Sequence, residues 1–467
     1  MPAVFSSTNE WALNPKPNDC QSNSLGLSLL DSQSMSAYIK EVLLLARLSI
    51  KHFVCCGMDV HKKFVVATIA FTDFRGVTIY KKKRFATFNS DLRALKKWLL
   101  DHHCSEVCME STGKYWIPIF NILEDSCHVV VANPKYVRAI KGQKTDDKDS
   151  EWIADLFKFD IVPSSYIPCR EIRALRELFR YRQKLIGHRS SEKNRFQNAL
   201  TVSNIALSSV LTDTFGKSAT AIVDYILTCE TFDPEYCKSL LLKKAKDKAD
   251  DVVKSILGYE LRGDQSLKIK VCRKHFDQIN ECVRTLDDAI SDLAKPYHKF
   301  IDLATTVPGI TEKSATYIIA EIGVDMAVFK SSKRLCSWAG LTPQNNESAG
   351  KKKSVHISRA GVYLKPLLVQ CANAAIKDKK NPYFKYKYDR IKKRRGHKRA
   401  VIAIARMMLT CLFHMFSKQE AFNPADTDYS AIPEEMYQRF QEQYDKNAIK
   451  RLEKRGFTVI PPTAVTA

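Results

Sequence analysis

Cysteine pairs with C-x-x-C spacing are absent from this 467-residue sequence, although it contains 14 cysteines. Cys55 and Cys56 are adjacent, and Cys104 and Cys108 are four residues apart, so no zinc-ligand spacing is present. A secretory signal is absent as well, which predicts that the thiols are reduced. We therefore expect most cysteines to pack in hydrophobic cores, as at Cys371 and Cys411.

Long hydrophobic runs are also missing, since no stretch reaches the roughly 18 apolar residues that a membrane span requires. Acidic residues are the scarcer charge: 51 Asp and Glu stand against 74 Lys and Arg, for a net charge of +23. Such a surplus favours a polyanionic partner, and we expect nucleic acid and no membrane. A basic protein without such a partner is the alternative.

The first part of the chain divides into a polar leader and a mixed α/β region. Residues 1–52 are rich in Ser and Asn, and we expect either a poorly ordered leader or a product of an upstream start codon. Val54–Val60, Phe64–Phe71 and Val77–Thr87 then predict three strands. The predicted elements that follow are a helix capped by Ser90, a strand Glu106–Glu110, a helix Tyr115–Glu124, a strand Val129–Ala132, a short helix at Pro134 and a helix Asp146–Phe159. This is the element order of an RNase H-like domain, which we assign to residues 53–165.

Residues 170–300 predict a helical arm, with two long helices flanking a less periodic insertion at 201–264. A coiled-coil seam is predicted in the second long helix at Ile279, Cys282, Leu286, Ala289 and Leu293. The arm is expected to serve dimerisation. A basic stripe on the first helix is predicted to contact nucleic acid, and consists of Arg173, Arg176, Arg180, Arg182, Lys184, Arg189, Lys193 and Arg195.

Residues 301–420 predict a third, mostly helical domain, followed by a tail at 421–467. The segment Val307-Pro308-Gly309-Ile310 has the pattern of a helix-hairpin-helix turn, which presents backbone N–H groups to phosphate. An ordinary glycine turn between two helices explains the same residues equally well.

Four carboxylates are the candidate catalytic residues. Asp59 lies in the first predicted strand and Glu110 ends the fourth, and these two strands are neighbours in an RNase H-like sheet. Asp146 and Asp149 share one face of a helix because they are three residues apart. An acid among apolar strand residues is costly unless something neutralises it, and Mg²⁺ or Mn²⁺ with oxygen ligands would do so.

Other interpretations of these acids differ from residue to residue. Asp146 and Asp149 are also explained by attraction to a helix N-terminus, as are Asp147 and Asp155. Asp59 resists that explanation, because Asp is disfavoured inside a strand. We expect nearby His61 to contact a phosphate or support a ligand rather than to bind the metal.

These segments resemble a known family of insertion-sequence transposases. Gly57-Met58-Asp59-Val60-His61-Lys62, Glu110-Ser111-Thr112-Gly113, Asn133-Pro134 and Lys144-Thr145-Asp146-x-x-Asp149 are similar to the DEDD transposases of the IS110 family. That family includes DNA invertases. Val307–Ile310, Trp338-Ala339-Gly340-Leu341-Thr342-Pro343 and Ile357-Ser358-Arg359-Ala360-Gly361 are similar to its C-terminal domain. The resemblance spans about Val54 to His414.

The resemblance implies a RuvC-like metal site formed by Asp59, Glu110, Asp146 and Asp149. It also implies a serine nucleophile, for which Ser348 stands at the matching place, nine residues before Ile357, with Ser354 as the alternative. The expected reaction is cleavage and rejoining of DNA to move the element in a bacterial cytoplasm. A guide RNA from the element and a homo-oligomer, dimer or tetramer, are implied too, with the nuclease-like domain of one protomer cooperating with the serine domain of another.

Two basic segments of the C-terminal region are predicted to bind nucleic acid. The stretch 377–399 holds twelve Lys and Arg against two Asp, with Tyr383, Phe384, Tyr386 and Tyr388 among them for stacking on unpaired bases. The alternative is a solvated basic helix whose tyrosines pack inward. The predicted contacts are Lys351, Lys352, Lys353, Lys392, Lys393, Arg394, Arg395, Lys398 and Arg399.

Two other functions are compatible with the sequence. A structure-specific nuclease, similar to a junction resolvase, would use the four acids and water without a serine. A catalytically silent nucleic-acid-binding protein would use neither.

Overall fold

The computed structural model describes residues 49–137, 146–343, 346–348, 351–354, 356–424, 434–453, 456 and 458–459. The predicted leader, residues 1–52, falls almost entirely outside these ranges. Contacts divide the chain into two compact units, one ending at Ser165 and the other beginning at Tyr166.

The first unit is a five-stranded sheet with helices, and its element order agrees with the one predicted from the sequence. The strands are β1 (Val54–Val60), β2 (Phe64–Thr72), β3 (Thr78–Ala86), β4 (Glu106–Glu110) and β5 (His128–Ala132). The helices are α1 (Asn89–Asp101), α2 (Trp116–Leu123), α3 (Pro134–Val137) and α4 (Asp146–Lys158).

The strands lie in the order β3-β2-β1-β4-β5. β1 pairs antiparallel with β2 and parallel with β4, which in turn pairs parallel with β5. β1 is central because its residues are apolar on both faces, whereas β3 carries the exposed lysines Lys81, Lys82 and Lys83, which suit the edge of a sheet.

One local prediction in this unit is wrong. Ser90 does not cap α1, because the helix begins at Asn89 after Phe88 and Ser90 lies inside its first turn, bonded to the Asp91 carboxylate. The helix buries an apolar face that consists of Leu92, Leu95 and Leu99.

The cysteines of this unit are buried, as predicted. Burial raises the pKa of Cys55, Cys104 and Cys108 to about 12, and that of Cys56 well above its usual value. These thiols therefore stay protonated and inert at neutral pH. Cys371, in the second unit, is likewise buried in a hydrophobic core.

The arm of the second unit is built on two long helices, α5 (Arg170–Val202) and, later in the chain, α10 (Gly263–Ala294). Between them lie α6 (Leu207–Val210), α7 (Lys217–Ile226), α8 (Pro234–Ser239), a 3-10 helix (Lys243–Lys248) and α9 (Ala249–Lys254). Contacts run from Arg182 to Asp287 and from Glu192 to His275, so α5 and α10 are antiparallel.

The predicted seam of α10 is wrong in register. Cys282 and Ala289 are exposed and Leu293 is 38% exposed, whereas the buried residues of α10 are Ile269, Cys272, Ile279, Val283, Ile290 and Ala294. Ile279 belongs to both registers, and Leu286 is partly buried. From Ile279 the buried face continues four residues on to Val283 rather than three to Cys282, because the larger branched side chain faces the partner helix.

The predicted basic stripe on α5 is largely engaged within the protein. Arg180 makes a bidentate pair with Glu321 at 2.8 Å, and Arg182 makes another with Asp287. Further contacts join Arg173 to the Pro168 carbonyl, Arg176 to Ala320 and Glu321 carbonyls, Arg189 to Asn280, Lys193 to Asp213 and Arg195 to Glu192. Arg176 and Arg180 join α5 to α12, and Arg182 and Arg189 join it to α10. The side chains of Lys193 and Arg195 are 42% and 58% exposed, and nucleic-acid contact by the stripe stays a prediction.

The rest of the second unit packs around one large core. Its helices are α11 (His298–Thr305), α12 (Glu312–Ile322), α13 (Ser332–Trp338), α14 (Leu364–Lys377), α15 (Tyr383–Arg395), α16 (His397–Lys418) and α17 (Glu434–Glu453), with short 3-10 helices at Lys295–Tyr297 and Ala327–Phe329. A two-stranded hairpin adds β6 (Asn346–Ser348) and β7 (Lys351–Ser354). Helix α17 lies in the segment predicted to be a tail.

Helix α16 is long and apolar enough to cross a membrane by length and composition alone. Its residues Ala400, Ile404, Met408 and Leu412 are fully buried in the core of this unit. That packing accounts for its apolar character.

Gly309 has a packing role in this core. A Cβ at this position would lie 2.4 Å from the Cys371 carbonyl oxygen and 2.6 Å from the Ala375 nitrogen, and its φ is +82°. The glycine therefore lets the turn after α11 approach the backbone of α14, which favours the packing explanation of this turn.

Candidate active site

Asp59 and Glu110 occupy corresponding positions at the ends of two neighbouring parallel strands. The last paired residues of β1 and β4 are Met58 and Met109, each one residue before an acid. Paired residues of parallel strands project to the same face of a sheet, so both acids belong to the same face. Asp59 is only 8% exposed, and Glu110 is half-buried.

Helix α4 packs directly against this face because of Gly57. A Cβ on Gly57 would lie 2.2 Å from the Ser150 carbonyl oxygen and 2.3 Å from the Ala154 nitrogen, so any other residue would separate the helix from the strand. On the same face, the Cys55 thiol lies 3.6 Å from the Ala154 carbonyl oxygen. A hydrogen bond of 2.7 Å between the Thr68 and Ser150 hydroxyls ties α4 to β2 as well.

This packing determines which part of β1 lies beside the first turn of α4, the turn that carries Asp146 and Asp149. Two strand residues span about 6.6 Å, and four helical residues span about 6 Å. One turn of α4 therefore covers about the same length as two residues of β1. Cys55 meets Ala154, and Gly57 meets Ser150. The same progression predicts that the first turn of α4 lies beside Asp59.

His61 forms a hydrogen bond with Asp59, a contact that the sequence alone did not specify. Its Nε2 lies 2.9 Å from Oδ2 of Asp59, and its ring packs on Phe64 with centroids 4.6 Å apart. Above Phe64, the Arg84 guanidinium lies 3.5 Å from the ring centroid. His61 therefore contacts one of the predicted ligands, and the D-x-H spacing was the signal for it.

Asp155, set aside as a ligand in the sequence, has a structural role. Its Oδ1 accepts a hydrogen bond from the Tyr80 hydroxyl at 2.7 Å and contacts the Lys158 ammonium at 2.6 Å. Burial, together with this carboxylate, raises the pKa of Tyr80 well above its usual value.

Within the described residues, no three His, Cys, Asp or Glu side chains form a group that could hold a metal ion. The Asp146 side chain lies outside that description, and Asp149 is half-buried in the first turn of α4. The four-carboxylate metal site therefore stays a prediction. Its donors are all oxygens, which suits Mg²⁺ or Mn²⁺ rather than zinc.

Ser348 ends strand β6 at the tip of the hairpin. The register pairs Ser348 with Lys351 and Glu347 with Lys352, so a two-residue connection joins the strands. Ser354, the alternative nucleophile, pairs with Asn346 at the base of the hairpin. The tip therefore brings the backbone of Ser348 beside that of the first predicted lysine.

Two glycines anchor this hairpin. A Cβ on Gly340 would lie 2.5 Å from the Ala360 carbonyl oxygen, and one on Gly361 would lie 2.1 Å from the Ala339 carbonyl oxygen. Pro343 and Ile357 form a β-bridge between the same two segments. The two motifs that flank Ser348 in the sequence thus meet in space and form the base of the hairpin.

The basic residues at the end of α15 and the start of α16 form an exposed surface, which we call the basic corner. Lys392, Lys393, Arg394, Arg395, Lys398 and Arg399 are all exposed. The corner is held by a hydrogen bond of 2.8 Å between the Tyr388 hydroxyl and Nδ1 of His397. These six cations are accessible to a phosphate backbone.

The aromatic residues among these charges face the core, contrary to the predicted stacking. Tyr383 and Tyr388 are 7% exposed and Phe384 is fully buried, packed among α14, α16 and Phe422. Only Tyr386, at 43% exposed, is accessible among the four. The helix buries one face, so its aromatics supply core packing while its cations stay in solvent.

Comparisons with known proteins match both units. A family model described as a transposase, the DEDD model of IS110, matches residues 56–205, and the model of the IS116/IS110/IS902 transposase family matches residues 301–389. An uncharacterised 42 kDa protein of insertion element IS900 from Mycobacterium paratuberculosis is 31% identical over 137 residues, which is 29% of this chain and 34% of the relative. The pilin gene-inverting protein of Moraxella bovis is 23% identical over 236 residues, 40% of this chain and 71% of the relative. The chain thus spans about a third of the length of the first of these relatives.

Proposed function

Because this chain belongs to the IS110 family of transposases, we propose that it moves an insertion sequence by cleaving and rejoining DNA strands. The observation that carries the proposal is the position of the buried Asp59 and of Glu110, each one residue beyond the last paired residues of β1 and β4, beside a helix whose first turn carries Asp146 and Asp149. The strand order β3-β2-β1-β4-β5 supports an RNase H-like assignment of this unit. The expected site of action is DNA in the cytoplasm.

We assign metal binding to Asp59, Glu110, Asp146 and Asp149. A bound Mg²⁺ or Mn²⁺ would polarise the phosphodiester and stabilise charge on its oxygens. His61, through its hydrogen bond to Oδ2 of Asp59, holds that carboxylate in one orientation. Gly57 keeps the α4 acids close to the strand.

We assign the nucleophile to Ser348. Its Oγ would form a bond to phosphorus while one bridging P–O bond of the DNA breaks, and the released deoxyribose oxygen would leave as a hydroxyl with the serine proton. Attack by the hydroxyl end of another strand would reverse this step and restore the serine. Lys351, Lys352 and Lys353 would supply positive charge to the phosphate, and the basic corner would hold flanking DNA.

A strand-exchange assay with element ends on a plasmid tests the two chemical assignments. Asp59→Asn and Ser348→Ala should each abolish strand exchange while retaining DNA binding. The control is Asp101→Asn, which alters an exposed acid at the end of α1 and should leave strand exchange intact. If Ser348→Ala still cleaves DNA, the protein is a nuclease that uses water. If the unaltered protein binds DNA but never cleaves it with Mg²⁺, it is a silent binding protein.

The proposal extends to an oligomer in which carboxylates and serine come from different protomers. An equal mixture of Asp59→Asn and Ser348→Ala proteins should then regain part of the exchange activity, because mixed oligomers contain one intact combination. No recovery in verified mixed oligomers would contradict this arrangement. The family resemblance further suggests a guide RNA from the element, which sequencing of co-purified RNA would identify.

A further inference from the structure

A cavity of about 360 Å³ opens in the second unit, among helices α5, α12 and α14. The first turn of α12 lines it with Thr311, Lys313 and Ser314, and α5 contributes Arg182. Val362 and Tyr363, just before α14, form an apolar part of its wall. The cavity therefore joins a cationic part to an apolar part.

The charge of this cavity favours an anion. Among the described residues, no acidic side chain lines it. Asp287, outside the lining, accepts Arg182 and also lies 2.9 Å from Nζ of Lys313, so one carboxylate faces two cations. Lys313 is 53% exposed, and the start of α12 adds the partial positive charge of a helix N-terminus.

The Tyr317 hydroxyl is independent evidence that the cavity holds a hydrogen-bond acceptor. It lines the cavity, it is 7% exposed, and its ring stacks on Phe179 with centroids 4.8 Å apart. Its buried hydroxyl has no hydrogen-bond partner among the described residues. A buried polar group without a partner costs about 1–3 kcal/mol, so a ligand or water that accepts from this hydroxyl accounts for its presence.

We propose that this cavity binds a phosphate group of a nucleic-acid strand, with Lys313, the start of α12 and the Tyr317 hydroxyl as its donors. The Val362 and Tyr363 wall packs against the adjoining sugar. Val362 is 69% exposed, which suits an apolar surface that a bound strand covers. This site lies outside the proposed catalytic residues and requires no strand cleavage.

Binding measurements on the full chain in EDTA test the proposal. The probes are a short labelled single-stranded DNA, an RNA of the same sequence, and inorganic phosphate. Lys313→Ala should weaken binding of both strands several-fold and lower the slope of log K against log salt by about 0.7, the loss of one phosphate contact. In this variant Asp287 keeps its two hydrogen bonds from Arg182, so we expect the fold to be retained.

Lys333→Ala is the matched control, since Lys333 is an exposed lysine on α13 outside this cavity, and it should leave affinity and slope unchanged. An unchanged slope for Lys313→Ala would overturn the proposal. So would an effect confined to inorganic phosphate, which marks a site for free anions. If Lys313→Ala weakens binding of only the DNA or only the RNA, that strand is the source of the bound phosphate and the proposal stands.

Tyr317→Phe provides the second readout, because it removes only the hydroxyl. Strand affinity should fall while the melting temperature stays equal or rises, since an unpartnered buried group is lost. Equal affinity of this variant and the unaltered protein would overturn the assignment of Tyr317 as a donor. Protection of the amides at the start of α12 from hydrogen exchange upon DNA binding is expected as well, and its absence would count against the site.

Discussion

At the scale of single residues, Gly57 decides how closely α4 approaches the central strand. The acid on β1 was visible in the sequence, because Asp is costly among apolar strand residues. The closeness of the helix was not, since it depends on Ser150 and Ala154, almost a hundred residues away. His61 illustrates the same limit, because its hydrogen bond to Asp59 depends on a side-chain rotation that the spacing alone leaves open.

Gly57→Ala should destabilise the first unit by about 1–3 kcal/mol, because the added methyl must push α4 away from β1. Gly187→Ala is the matched control: Gly187 lies in α5 with nothing near its missing Cβ, and alanine there should stabilise by about 0.5–1 kcal/mol. Urea unfolding of both variants measures the difference. Equal stability of the two would show that α4 does not depend on this contact.

At the scale of elements, the arm is joined to the C-terminal core by buried ionic contacts. Glu321 on α12 is 2% exposed and pairs with Arg180, while Arg176 donates to the neighbouring carbonyl oxygens. The sequence showed a stripe of cations on α5 and suggested phosphate as their partner. Their partners lie about 140 residues away on another helix, so the charge pattern alone could not distinguish the two possibilities.

Glu321→Gln should cost about 3–5 kcal/mol, because Arg180 and Arg176 would then lose their shared buried carboxylate. Asp389→Asn provides the comparison, since its pair with Lys385 is exposed on both sides and should be worth less than about 0.5 kcal/mol. Thermal unfolding followed by circular dichroism reports both. A small effect of Glu321→Gln would mean that this contact does not lock α5 to α12.

At the scale of the whole molecule, the net charge of +23 is unevenly distributed. Arg180 and Arg182 of α5 form internal ion pairs, whereas the cations of the basic corner stay exposed. The composition predicted a polyanionic partner, and the structure indicates that the basic corner is a surface accessible to such a partner.

Replacing Lys393, Arg394 and Arg395 by alanine should lower the salt slope of duplex DNA binding by up to about 3 units, at roughly 0.9 per phosphate contact. The matched control replaces Lys243, Lys244 and Lys246, three exposed lysines of the arm insertion that lie close in sequence to Asp247, Asp250 and Asp251. Fluorescence anisotropy at several salt concentrations gives both slopes. Equal slopes for the two triple variants would exclude the basic corner as a principal DNA contact.

The sequence by itself determined the strands, their order along the chain, the position of Asp59 and Glu110 at strand ends, and the surplus of positive charge. These follow from alternation, propensity and composition, which depend on neighbouring residues. Only the tertiary structure decided the buried face of α10, the inward orientation of Tyr383 and Phe384, the partners of the arm arginines and the cavity beside Tyr317. Each of these depends on side chains that are far apart in sequence, and packing brings them together with a geometry that local patterns do not encode.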